Sequence, residues 1–125
     1  MSSYVKTASP PPKNPYVRQM LAMVEANFRK ELTLNMVAKD IGINPNYAGQ
    51  LFRGEVGISF LDYLNRYRIE QILECILQTP TLSFEQVALN MGFSDMRNFY
   101  RVFKRIMGTT PGKYRSGEHG PPPAP

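Results

Sequence analysis

The chain has no tryptophan, one cysteine and one histidine among its 125 residues. A lone cysteine excludes an internal disulfide and fits a reducing compartment. Cys75 lies in the apolar helical run "IEQILECILQ", where a small core residue is the favoured reading over a reactive thiol. His119 stands in a Gly/Pro-rich tail with no second ligand type beside it. No metal site and no cofactor is therefore expected, and no catalytic triad can be assembled. No apolar run nears the length of a membrane span, and "MSSYVKTASPPPK" lacks the apolar stretch of a secretory signal. Period-2 alternation is missing too, which argues against a sheet. These absences point to a small all-α protein of the cytoplasm that is not an enzyme.

What is present is a lopsided charge. The formal net charge is +5. Residues 94–115 hold Arg97, Arg101, Lys104, Arg105, Lys113 and Arg115 against Asp95 alone, whereas residues 16–93 hold seven basic and eight acidic side chains. A positive excess packed into one short segment is the footprint of a polyanion site. An anionic membrane would want large apolar residues beside the charges, and here the apolar residues form a stripe of their own.

That stripe lies in "FSDMRNFYRVFKR", residues 93–105. At 100° per residue, Phe99, Val102, Phe103 and Ile106 fall in one arc, the spacing of a buried helical face. Arg97, Tyr100, Arg101 and Lys104 fall in the opposite arc, with Met96 and Arg105 at its edges. Ser94 is the expected N-cap, with Asp95 in the first turn.

The remaining punctuation predicts seven helices. The first starts at Pro15 and runs to about 29. The second lies between Thr33 and Gly42. The third opens with Asn44 as cap and Pro45 at the first helical position, and ends near Gly57. A long fourth, about 59–78, is capped by Ser59 and stopped by Pro80. Its apolar residues Phe60, Leu64, Tyr67, Ile69, Ile72, Leu73, Ile76 and Leu77 occupy more than one stripe. The fifth has Ser83 and Gln86 as a capping box and ends at Gly92. The sixth is the aromatic and basic stretch, ending at Gly108, and a short seventh begins at Thr110 and Pro111. Residues 1–15 read as a Pro-rich linker and 116–125 as a disordered tail.

Two segments repeat. Leu32/Leu82, Val37/Val87, Ala38/Ala88, Gly42/Gly92 and Ile43/Phe93 match at an offset of 50, and Phe52/Phe103, Arg53/Lys104, Gly57/Gly108 and Tyr63/Tyr114 at 51. Each copy reads helix, glycine turn, helix. The alanines are small where helices cross, the glycines supply a positive φ, and Ile43 and Phe93 plug the turn. One helix–turn–helix pattern is a weak signal, but two on a shared long helix are a strong one. That helix is about 30 Å long at 1.5 Å per residue, close to the roughly 34 Å between successive major-groove faces of DNA.

"GFSDMRNFYRVFKRIMGTTPGKYR" at 92–115 resembles the signature of the DNA-binding domain of AraC/XylS bacterial transcription regulators. "INPNYAGQLFRGEVG" at 43–57 resembles its first recognition helix, and "GISFLDYLNRYRIEQ" at 57–71 its linker helix. The resemblance covers about 16–115. It implies two helix–turn–helix subdomains, about 33–57 and 83–107, sequence-specific binding to double-stranded DNA, and activation through contact with RNA polymerase. It also implies an N-terminal sensor or receiver domain outside this chain. Groove-facing positions correspond to Asn46, Gly49 and Gln50, with Arg53 beside them, and to Met96, Arg97 and Tyr100. Arg101, Lys104 and Arg105 fall on the phosphate-contacting side. Gln50 suits adenine and Arg97 guanine. A second reading is an interaction module with the same fold and weak or non-specific DNA binding. Gly49 and Gly54 inside the third helix favour it, and the basic segment opposes it.

Overall fold

The computed structural model describes residues 12–117. Most of the segment read as a linker, and residues 118–125 of the expected tail with His119, lie outside the described residues; Ser116, read as the start of that tail, instead ends the last helix and Gly117 caps it. Seven helices form among the described residues: α1(Pro15–Asn27), α2(Leu34–Ile41), α3(Pro45–Val56), α4(Phe60–Gln78), α5(Phe84–Asn90), α6(Met96–Met107) and α7(Pro111–Ser116). No strand occurs among the described residues. They divide into two units, with the boundary between Arg68 and Ile69 inside α4.

The first unit holds α1, α2, α3 and the start of α4. Each helix begins where a side chain satisfies orphan N–H groups. Asn14 Oδ1 accepts from Tyr16 N at 2.8 Å, Thr33 Oγ1 from Met36 N at 3.1 Å, and Asn44 Oδ1 from Asn46 N at 2.8 Å. Such caps stabilise by about 1 kcal/mol each. Gly42, at φ 90°, closes α2 with its N–H on Ala38 O at 2.8 Å. A side chain at that φ would be strained, so glycine sets the turn. The core is aromatic. Phe52 is fully buried, with its ring edge-on to Phe60 at 5.4 Å and Tyr63 at 5.6 Å, while Phe28 meets Tyr67 at 5.1 Å.

The second unit holds the rest of α4 with α5, α6 and α7. Ser83 Oγ accepts from Gln86 N at 3.0 Å and Thr110 Oγ1 from Lys113 N at 3.2 Å. Phe99 and Phe103 are fully buried, 5.7 Å apart, and Phe103 also meets Phe84 at 5.5 Å and Tyr114 at 5.9 Å. Truncating such a ring to alanine typically costs about 3–5 kcal/mol.

Four local expectations change. α1 ends at Asn27, two residues early, with Phe28 as its cap. α5 ends at Asn90 with Met91 as cap, and Gly92 follows at φ 106°. Phe93 is buried at its turn, whereas Ile43 is only half-buried. Leu77, expected among the apolar residues of α4, is 78% exposed. It lies in the last turn of the helix.

Each unit also contains an arginine clamp. Arg68, 8% exposed, donates through Nε to Phe28 O at 2.9 Å and through Nη2 to Lys30 O at 2.8 Å. It ties α4 to the chain entering α2. Arg115 donates to Pro80 O and Leu82 O, on the chain entering α5, and lies 5.0 Å from the Phe84 ring centroid. Lys30 and Pro80 are separated by the repeat offset of 50, so the two clamps share one equivalent carbonyl, although the arginines come from different helices. Burial lowers the Arg68 pKa from its ordinary value, and the two carbonyl oxygens offset that desolvation.

Candidate nucleic-acid interface

α6 separates its two tasks by face. Phe99, Val102, Phe103 and Ile106 are buried; Arg97, Tyr100, Arg101, Lys104 and Arg105 are exposed, and Met96 is half-buried at the edge. The expected arcs are therefore the observed ones. The cap differs. Asp95, not Ser94, takes the N-cap position, with extended backbone and Oδ1 accepting from Arg97 N at 2.9 Å. Its carboxylate sits at the positive end of the helix, where an anion is favoured over a hydroxyl. The C-terminus is closed by Gly108 at φ 76°.

The cations of this segment are not equivalent. Among the described residues, no hydrogen bond or ion pair engages the side chains of Arg97 or Lys104, so their donors point to solvent. Arg101 donates through Nη2 to Asn98 Oδ1, one turn back, leaving its other donors available. Arg115, counted above in the basic excess, keeps its charge, but two of its donors are engaged by Pro80 O and Leu82 O.

Tyr100 is 41% exposed, and its hydroxyl donates to Glu85 Oε2 in the first turn of α5. The hydrogen bond from Tyr100 holds the Glu85 carboxyl below its ordinary pKa, and the same bond raises the Tyr100 phenol. The carboxylate stays charged and the phenol keeps its proton. Glu85 was missed by sequence reasoning. An acid in the first turn of α5 reads as a helix-dipole residue, and nothing in its spacing ties it to Tyr100.

In the first unit, Asn46, Gln50 and Arg53 are exposed on α3, as expected of an outward face. Gly49 is not on that face. It is half-buried, and a Cβ placed on it would lie 3.2 Å from Leu34 Cδ2, so it faces α2. The glycine permits a close helix–helix approach. Gly54 has open space around it. Tyr47, not singled out from sequence, is 49% exposed. Its spacing to Gln50 is i, i+3, which places it in the same arc, so the helical wheel would have found it. Glu55 Oε1 accepts from Asn14 N at 3.2 Å, which directs that carboxylate to the start of α1.

No helix among the described residues is long and apolar enough to cross a membrane. A family profile described as a helix-turn-helix domain matches residues 37–117. An uncharacterized HTH-type transcriptional regulator of Bacillus subtilis is 33% identical over 96 residues, covering 77% of this chain and 12% of that protein. The melibiose operon regulatory protein of Escherichia coli is 32% identical over 100 residues, covering 80% of this chain and 33% of that protein. The chain thus spans a third or less of the length of these curated relatives. The solved C-terminal domain of AraT, a response regulator from Geobacillus stearothermophilus, superposes with a TM-score of 0.78 at 30% identity, over 86% of this chain and 88% of that one. Two helix–turn–helix units, each with an outward helix bearing polar side chains, and this set of relatives carry one conclusion: the chain belongs to the AraC/XylS family, as a DNA-binding domain of a transcription regulator.

Proposed function

We propose that this domain binds a specific duplex sequence in the bacterial cytoplasm, with α6 in one major-groove segment and α3 in another, and that it activates transcription through RNA polymerase. The observation that carries the reading is the outward face of α6. Its donors at Arg97 and Lys104 stand on a helix fixed by four buried apolar side chains. A rigid helix holds donors in register with base edges at little entropic cost.

The roles follow from position. Arg97 lies in the first turn, the part of a recognition helix that enters deepest. Its guanidinium suits guanine O6 and N7 together, worth about 1–3 kcal/mol of discrimination. Arg101 and Lys104, further along, suit phosphates, with Arg105 at the rim and Met96 in apolar contact. On α3, Asn46, Gln50 and Tyr47 would meet base edges and Arg53 a phosphate. An N-terminal sensor or receiver domain would control the whole protein; the similar AraT domain is itself the C-terminal domain of a response regulator.

Binding-site selection with the purified domain, followed by a panel of single-base-pair substitutions, tests this. Arg97→Ala should relax preference at one base pair, and Arg101→Ala should weaken all duplexes alike. Selection that returns no preferred sequence would support the interaction-module reading instead.

A further inference from the structure

We propose that Glu85 is a specificity-determining residue. By accepting the hydrogen bond of the Tyr100 hydroxyl, it leaves that tyrosine an acceptor that favours an amino-bearing base edge. This rests on the reading of α6 as a recognition helix.

A phenol has one donor and two acceptor lone pairs. In Tyr100 the donor is committed to Glu85 Oε2. The ring is tilted against the buried Phe99 ring, with centroids 5.5 Å apart at 45°, which limits where the oxygen can go. Glu85 is itself fixed at the start of α5, and its Oε1 lies 3.4 Å from Ser83 Oγ. The ionised carboxylate and protonated phenol described above keep this polarity at neutral pH.

The consequence is chemical. With its proton turned away, the exposed phenol oxygen offers only lone pairs to a groove. Adenine N6 and cytosine N4 present N–H donors there, whereas guanine O6 and N7 and thymine O4 present acceptors. Adenine or cytosine can bond the oxygen, while guanine or thymine would set lone pair against lone pair. A tyrosine without Glu85 could rotate its hydroxyl and serve either kind of edge. Glu85 therefore narrows the reading without touching DNA.

The test measures the domain against duplexes carrying each of the four bases at every position of a selected site. The variants are Glu85→Gln, Glu85→Ala, Tyr100→Phe and the double Glu85→Ala/Tyr100→Phe. Glutamine retains an amide oxygen that accepts the hydrogen bond of the phenol. The wild type and Glu85→Gln should share a preference of about tenfold for adenine or cytosine over guanine or thymine at one position. Glu85→Ala and Tyr100→Phe should each lose that preference while other positions keep theirs, and the double variant should lose no more than either. If Tyr100→Phe loses the preference and Glu85→Ala retains it, Glu85 has no part and the proposal fails. It fails equally if Tyr100→Phe matches wild type at every position. A wild type with no preference anywhere would instead overturn the recognition-helix reading beneath it.

Discussion

The two units are built on one plan and differ in their outward helices. α3 and α6 have the same length, each starts from a side-chain cap, and each ends on a left-handed glycine. Both pack fully buried rings, Phe52 in one and Phe99 and Phe103 in the other. Yet α6 carries four cations, whereas α3 carries Arg53 with Glu55 and spends two positions on glycine. The lesson is that packing and outward chemistry vary independently. The buried positions of the repeat stay apolar so the fold persists, and the exposed positions are free to diverge. The same holds for the clamps. Arg68 is buried and Arg115 exposed, although both bridge to the chain ahead of a helix–turn–helix.

The clamps are where the comparison can be broken with the largest effect. Arg68→Ala strands two backbone carbonyls in a desolvated site and should destabilise the domain by about 3 kcal/mol in urea unfolding. Arg115→Ala should cost about 1 kcal/mol, because water replaces its bonds. Equal losses would mean that exposure does not separate the two.

Capping comes next. Asp95→Ala should cost about 1 kcal/mol and Ser94→Ala close to nothing, as read from thermal midpoints. The reverse order would restore Ser94 as the cap.

The smallest effects concern the glycines of α3. Gly54→Ala meets open space on a helix and should stabilise by about 0.8 kcal/mol. Gly49→Ala gains the same propensity but pushes on Leu34 Cδ2, so its net effect should be smaller. A larger gain at Gly49 would show that Leu34 moves aside freely.

Much of this was legible in the sequence. Capping residues, prolines at first helical positions and glycines after last turns mark helices through contacts within four residues, so the seven elements could be found. The faces of α6 follow from its period. Three features could not be read this way. Tyr100 meets Glu85 across 15 residues, Arg115 meets its carbonyls across 35 and 33, and Arg68 across 40 and 38. Those pairings depend on how helices cross, which no local spacing encodes. Gly49 was misplaced for a related reason. The family correspondence put it in the groove, and only the packed neighbour Leu34 shows that it faces α2.

The measurement that bears most directly on the account is the salt dependence of binding to a selected duplex. Each phosphate contact contributes about 0.9 to the slope of log Kd against log salt. Arg101→Ala/Lys104→Ala on α6 should lower that slope by about two. Arg53→Ala should lower it by no more than about one. A slope that stays at the wild-type value in Arg101→Ala/Lys104→Ala would contradict the assignment of the α6 face to DNA.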